Sequence, residues 1–233
     1  PCRAHHFQFG PVMLLEIKDL LSPAEVARLI EIAGKLKFVD GRVSNPHAVA
    51  KNNLQADFGD PLFAESVKIA ADAYARSAQF QDFALPRFVA PPMLAKYQPG
   101  MNYGAHADAA LMTVMGRRMR SDLSSTIFLN DPRSYEGGEL VVHLGVRALP
   151  IKLSPGSAIV YPSTTLHEVA PVRSGERLVA ITFIQSSVAE EAKRDILFEL
   201  GEVAAIEGAK MDWLSRTRLE VARQNLTRMW SEP

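Results

Sequence analysis

His106-Ala107-Asp108, followed by His167 and then by Arg177, is the set of residues in this chain best suited to chemistry. Two imidazoles and one carboxylate make a facial metal triad with open coordination positions, a ligand set that suits non-haem Fe(II) and oxygen chemistry. With one residue between them, His106 and Asp108 point to the same face of a strand, so a strand near 105–109 would deliver two ligands to one metal. His167 would come from a distant strand closing beside it. Arg177 follows a Ser174-Gly175 turn and alternates with Val179, Ile181 and Phe183 on one strand face. If that face points inward, the guanidinium lies among apolar side chains, where a buried Arg needs an anionic partner. Its planar fork matches a carboxylate. A dicarboxylate bound to the metal at one end would then meet Arg177 at the other.

Each residue alone has a plainer explanation. His-x-Asp pairs arise by chance, a lone strand His usually belongs to core or surface, and an Arg after a turn is a solvated charge by default. Their order among strand-like segments is what gives the set its weight. His143 ends another strand-like run and is the alternative third ligand, disfavoured because no Arg follows it at the same spacing. His47, in Ser44-Asn45-Pro46-His47, reads as a surface-loop residue, and His5 and His6 carry no functional reading. Tyr97 ends the strand before His106; it either packs in the core or turns its hydroxyl toward the co-substrate. Tyr103 reads as part of a Gly-flanked turn and is open to either role. Gly137-Gly138 serves turn geometry first.

Three kinds of element must position these residues. Residues 14–17 read as a short strand. Ser22-Pro23-Ala24-Glu25 starts a helix that carries an apolar stripe through Leu36, and Asp60-Pro61 starts a second. From about Pro91 the texture becomes short β segments between turn signals, with strands near 93–98, 105–109, 125–129, 138–143, 149–153, 157–161, 167–172 and 177–185. That series suggests a sandwich or jelly-roll barrel. After Gln185 the pattern is helical again: Ser187 can cap a helix over 188–200, and 211–230 carries Trp213, Leu214, Leu219, Val221, Ala222, Leu226 and Trp230 as its apolar set. The expected organisation is a tail or expression remnant over 1–12, supporting helices and strand over 13–90, a jelly-roll core over 91–186 and a helical extension over 187–233. The fold class is therefore mainly β with flanking helices. Residues 109–122 read as too long for a tight hairpin. They read either as a solvated basic loop with an apolar underside or as a lid beside the metal, with Met112 and Met115 for apolar contact and Arg117, Arg118 and Arg120 favouring acidic groups on a substrate.

Composition narrows the classes. The 233 residues are 47% hydrophobic and 22% charged, enough for one large domain with a real core. Lys+Arg and Asp+Glu are equal at 26 each, which gives no global charge to draw the chain to nucleic acid or membrane. No apolar run approaches a membrane span. The single cysteine, Cys2, allows no internal disulfide and fits a reducing cytosol, so the expected location is cytoplasmic.

The stretch Tyr97-Gln98-Pro99-Gly100-Met101-Asn102-Tyr103-Gly104-Ala105-His106-Ala107-Asp108 resembles the first-ligand region of prolyl 4-hydroxylase-like Fe(II)/2-oxoglutarate dioxygenases. Arg120-Ser121-Asp122-Leu123-Ser124-Ser125-Thr126, Gly137-Gly138-Glu139-Leu140 and Tyr161-Pro162-Ser163-Thr164-Thr165-Leu166-His167-Glu168-Val169 continue the pattern. Within that group the chain is most similar to the bacterial PKHD-type hydroxylases, from Met13 to Trp230. The resemblance implies a double-stranded β-helix core, with His106, Asp108 and His167 on Fe(2+), Arg177 on 2-oxoglutarate, and L-ascorbate dependence. It also implies a 2-oxoglutarate-dependent dioxygenase that hydroxylates an unidentified protein, peptide or small molecule and releases succinate and CO2. A homo-oligomer is compatible with this. One departure is Phe128, where some animal prolyl hydroxylases carry a second co-substrate tyrosine; Tyr97 remains available. Asp108 in place of a small residue leaves no site for halide, which favours hydroxylation over halogenation. The rival readings are a non-catalytic jelly-roll sensor of iron or 2-oxoglutarate, a structural jelly roll with an accidental triad, and a zinc hydrolase, disfavoured for want of a general base.

Overall fold

A computed structural model describes residues 5–8, 13–44 and 49–232 of the chain. Its helices begin where side chains can satisfy free backbone N–H groups. α1 (Pro23–Lys35) opens on a capping box: Ser22 Oγ accepts from the Glu25 N–H, and the Glu25 carboxylate accepts from the Ser22 N–H at 2.8 Å. α2 (Pro61–Arg76) is capped by the Asp60 carboxylate, which accepts from the Leu62 N–H at 2.9 Å. Both starts agree with the sequence reading. α3 (Ala78–Ala84) is too short to show a helical period and was not expected.

α4 (Glu191–Glu207) starts later than the expected 188, and Ser187 does not cap it. The Ser187 N–H donates instead to the Leu85 carbonyl, and its own carbonyl accepts from the Glu232 N–H at 2.8 Å. α5 (Trp213–Trp230) starts after Asp212, whose carboxylate accepts from the Ser215 N–H at 3.0 Å. It leans on α4 but has no fully buried residue, and Trp213, Val221 and Met229 of its apolar set and last turn are exposed. No described helix is long and apolar enough to cross a membrane.

The strands in chain order are β1 (His5–Gln8), β2 (Met13–Ile17), β3 (Phe38–Asp40), β4 (Lys51–Asn52), β5 (Leu54–Ala56), β6 (Pro86–Val89), β7 (Met93–Tyr97), β8 (Asn102–His106), β9 (Leu111–Val114), β10 (Arg117–Arg120), β11 (Leu123–Phe128), β12 (Glu136–Gly137), β13 (Leu140–Leu144), β14 (Arg147–Ile151), β15 (Ala158–Pro162), β16 (His167–Val169), β17 (Val172–Ser174) and β18 (Arg177–Ser186). Nine form one sheet, ordered β1-β2-β15-β11-β18-β7-β5-β3, with β6 pairing the far end of β18. Five form a second sheet, β14-β13-β16-β8-β4.

Alternation along the central strands explains how the layers stack. All six residues of β11 are buried. Leu123 and Ile127 face a core shared with Leu29, Ile32, Phe80 and Phe198 of the helices, while Phe128 faces a second core with Tyr97, Val142, Tyr161 and Val169. The nine-stranded sheet therefore carries the helices on one face and the five-stranded sheet on the other. This is the double-stranded β-helix layout, and Val179 lies in its inter-sheet core with Arg177 on the same interior face, an orientation the sequence left open. β2, β3 and β5 extend the large sheet and β4 the small one, so residues 13–56 are woven into the roll. Residues 5–8, expected as tail, run as an edge strand beside β2.

Residues 111–120 overturn the expectation of a long loop. β9 and β10 pair from Val114↔Arg117 to Leu111↔Arg120. The two-residue turn Met115-Gly116 has φ of 50° and 75°, the type I′ geometry that matches strand twist and needs a residue tolerant of positive φ. Gly116 was the available signal. Arg120 also leaves the lid set: its Nε donates to Asp122 Oδ1 at 2.6 Å, and its Nη1 pairs with Glu232. Arg117 stacks over the Phe88 ring, and Arg118 is exposed.

Candidate metal centre and co-substrate pocket

β8 and β16 are neighbours, and His106 stands directly opposite His167 in their register. Asp108 does not share the strand as expected, because β8 ends at His106. Two tertiary bonds place it instead. Its N–H donates to the Ser163 carbonyl at 3.2 Å, and its Oδ2 accepts from Ser124 Oγ at 2.5 Å. The potential ligand atoms of His106, Asp108 and His167 all lie within 4.8 Å of one another. His106 Nε2 is 3.8 Å from Asp108 Oδ1, and His167 Nε2 is 3.7 Å from Asp108 Oδ2.

The imidazoles are oriented for ligation. His106 Nδ1 faces the Gly104 carbonyl at 2.8 Å and His167 Nδ1 the Thr165 carbonyl at 2.9 Å. A carbonyl only accepts, so each Nδ1 carries the proton and each Nε2 turns a lone pair toward the carboxylate. Burial also holds the His106 pKa below its usual value, favouring the neutral, ligating form, against the opposing Gly104 hydrogen bond. A register shift between His167 and Val169 lets Tyr103 lie on the same side as His106, with rings stacked at 3.7 Å. Tyr103 is thus a strand residue beside the triad rather than a turn residue. His143 is excluded from the cluster: Val142 takes the inward position, and His143 Nε2 sits 3.4 Å from Glu168 Oε1. His47 lies outside the described residues.

Ser124, missed as a site residue, orients the carboxylate. Its Oγ also lies 2.7 Å from Ser163 Oγ, which accepts from Ser121 Oγ at 2.7 Å. Inward alternation with Thr126 and Phe128 was the available signal. Ser124→Ala is expected to weaken metal affinity roughly 10-fold to 100-fold, the usual cost of removing a ligand's hydrogen-bond partner. Ser125→Ala, on the helix side, removes the partner of Tyr74 Oη instead and should cost stability while leaving metal affinity unchanged. Anaerobic Fe(II) titration with thermal melts separates the two; equal metal affinity in both variants rules out the orienting role.

Across the same interior, Arg177 is 2% exposed, and among the described residues no carboxylate lies within ion-pair distance of it. Its Nε has no hydrogen-bond partner. The guanidinium sits 4.9 Å from the Tyr97 ring centroid and 5.6 Å from that of Phe128. Gly138 makes room for it: a Cβ there would lie 3.2 Å from Arg177 Cδ. Gly137 and Gly138 both have positive φ, but instead of a turn they form the end of β12 at a register shift and the link to β13.

Two buried hydroxyls share the space. The Tyr97 pKa is raised by burial, with Arg177 and Asn53 opposing. Tyr161, inward by alternation with Ile159, has its pKa raised well above the usual value, first by burial and then by the charge of Asp108. Sequence reasoning named Tyr97 and missed Tyr161, which supplies a second hydroxyl where Phe128 offers none. A three-ligand cluster with convergent lone pairs and a buried, acid-free guanidinium fit a divalent metal and a dicarboxylate.

Residues 92–185 match the 2OG-Fe(II) oxygenase superfamily, so fold and site define an oxygenase of that class. The chain is 48% identical over 217 residues to a PKHD-type hydroxylase of Sphingopyxis alaskensis, covering 93% of this chain and 99% of that one. A PKHD-type hydroxylase of Parvibaculum lavamentivorans is 39% identical over 224 residues, covering 94% and 99%. The viral collagen prolyl hydroxylase of Paramecium bursaria Chlorella virus-1, solved as a 2OG complex, shares the fold at TM-score 0.51 and 20% identity, over 74% of this chain and 95% of that one. The chain belongs to the PKHD-type hydroxylases. It is a 2-oxoglutarate-dependent dioxygenase, a family membership that implies Fe(2+) and 2-oxoglutarate.

Proposed function

We propose that His106, Asp108 and His167 hold Fe(II), that Arg177 and Tyr97 hold the far carboxylate of 2-oxoglutarate, and that the enzyme hydroxylates a protein, peptide or small molecule. The observation that carries this is the buried Arg177, without an acidic partner among the described residues, in the same barrel interior as the three-ligand cluster. When bound, the metal and 2-oxoglutarate supply oxygen activation coupled to decarboxylation, giving succinate and CO2. The chain's own residues do the rest. The Gly104 and Thr165 carbonyls fix the imidazole tautomers, and Ser124 holds Asp108. Tyr97 and Phe128 wall the guanidinium from water, which strengthens its pairing with a carboxylate. Asp108 fills the position a halide would need, which supports hydroxylation. L-ascorbate as a reductant is part of this reading.

The direct test loads the protein anaerobically with Fe(II) and 2-oxoglutarate, admits oxygen, and follows succinate with fractions of cell extract. Slow release alone, faster release with one fraction, and a further gain with ascorbate are expected. Tight binding of metal and 2-oxoglutarate with no succinate under any condition would favour the sensor instead.

The β9–β10 hairpin leaves the site three residues beyond Asp108, and the Ser121 N–H closes its base on the Ala110 carbonyl at 3.0 Å. We place it as a flap flanking the metal, with Met115 and Arg118 exposed. Arg117→Gln/Arg118→Gln should impair coupled oxidation of substrate while sparing substrate-free decarboxylation. Unchanged coupled turnover at low salt, where surface charge counts most, would remove the electrostatic role.

A further inference from the structure

Residues 51–56 cross from one wall of the roll to the other. Lys51 pairs with Tyr103 at the edge of the five-stranded sheet, and Gln55 pairs with Ala95 in the nine-stranded sheet, with Asn53 at the crossover. Residues opposite each other in an antiparallel pair share a face, and Ala95 belongs to the inter-sheet core. Gln55 therefore faces the interior, while Ala56 faces the helices. All three polar residues are buried: Lys51 is 7% exposed, Asn53 4% and Gln55 1%. Among the described residues, both polar atoms of the Gln55 amide have no hydrogen-bond partner, whereas the Asn53 side chain bonds Tyr97 and lays its Oδ1 against Gly41. Buried polar groups are nearly always paired, so the unpaired Gln55 amide on the interior face points to a polar occupant.

Lys51 is the charged member. Its Nζ donates to Ser44 Oγ at 2.8 Å and lies 5.7 Å from the Tyr103 ring centroid, the ring that stacks on His106. Among the described residues no carboxylate is within ion-pair distance of it. Burial pulls the Lys51 pKa down to about 8, opposed from farther away by Asp108 and Asp40; Asp108 belongs to the triad, and Asp40 is held by Arg42. A buried ammonium without a close counter-ion is costly. Charge in the pocket is also unbalanced. Two charges from a divalent metal and one each from Arg177 and Lys51 face a single negative charge from Asp108. The two carboxylates of 2-oxoglutarate still leave one positive charge unanswered.

We propose that Lys51 is the anchor for a carboxylate on the primary substrate, with the unpaired Gln55 amide hydrogen-bonding a polar group of the same occupant. This rests on the dioxygenase reading above and deepens it by assigning the substrate class as an organic acid. Lys51 is a binding residue here, separate from the co-substrate anchor Arg177.

The test uses full-length protein loaded with Mn(II) and saturating 2-oxoglutarate. Trifluoromethyl-phenylacetate and its primary amide serve as matched probes, read by metal-induced relaxation of the fluorine signal. The carboxylate is expected to bind about tenfold or more tightly than the amide, the worth of one charge-assisted bond. Lys51→Arg should keep that preference and Lys51→Met should erase it, with 2-oxoglutarate affinity within about twofold of the parent. No carboxylate preference in the parent protein, or a preference that survives Lys51→Met, overturns the proposal. So does a loss of 2-oxoglutarate affinity in Lys51→Met, which would move Lys51 into the co-substrate site. Metal-dependent 2-oxoglutarate binding, measured first, tests the underlying reading separately. If that fails, the probe comparison on metal-free protein still reads the anion site through line widths.

Discussion

His167→Ala is expected to abolish iron-dependent succinate release while the protein stays folded. The triad offers three ligands, and losing one removes a lone pair that no neighbour can replace. Tyr161, edge-on to the His167 ring at 5.0 Å, has a hydroxyl held away from ionisation by burial. The loss in metal affinity should exceed the roughly 10-fold to 100-fold cost of deleting an outer hydrogen-bond partner. His106→Ala and Asp108→Ala should behave alike, the latter also leaving Ser124 Oγ without its acceptor. The strand pairing that carries β16 does not depend on the ring, since Val142 and His106 oppose His167 through backbone register. His143→Ala is the control, because that ring faces Glu168 away from the cluster. Anaerobic Fe(II) titration, succinate assays and thermal melts on the four variants settle the assignment. Full activity in His167→Ala with loss in His143→Ala would show that the third ligand was misassigned.

What was legible in the sequence was whatever local pattern dictates. Ser22 with Glu25, and Asp60 with Pro61, fixed two helix starts, because capping is decided within three residues. Alternation grouped Arg177 with Val179 on one face of β18, but both faces of that strand are covered, so which one points into the roll did not follow from it. What was not legible depends on partners far along the chain. Spacing puts Asp108 on a strand with His106, yet its position comes from Ser124 and Ser163, residues that spacing alone does not connect to it. Ser187 had the chemistry of a cap but was drawn into bonds with Leu85 and Glu232. β3 to β5 are two or three residues long, too short for a period to show, and so the buried Lys51, Asn53 and Gln55 were invisible. The β9–β10 hairpin was a misjudged turn: a two-residue I′ connection lets ten residues fold back on themselves where a loop was expected.

Arg177→Met carries the second large effect, and it has two opposite signs. The guanidinium is buried beside Tyr97 and Phe128, and among the described residues no acid lies within ion-pair distance of it. Replacing a buried, unpaired charge by an apolar chain of similar volume removes a desolvation cost, so the melting temperature of Arg177→Met should equal or exceed that of the parent. Affinity for 2-oxoglutarate should fall sharply, because the far carboxylate would enter a dry pocket with no counter-charge. Arg177→Lys separates charge from geometry. It keeps the cation but loses the planar fork, and the missing charge-assisted bond predicts a weakening of about tenfold or more. Metal affinity measured without 2-oxoglutarate should change little in either variant. Ligand linkage gives a further reading: saturating 2-oxoglutarate should raise the melting temperature of the parent and leave that of Arg177→Met where it was. Unchanged 2-oxoglutarate affinity in Arg177→Met would mean that the buried guanidinium serves the barrel rather than the co-substrate, and the dicarboxylate would have to be anchored elsewhere in the pocket.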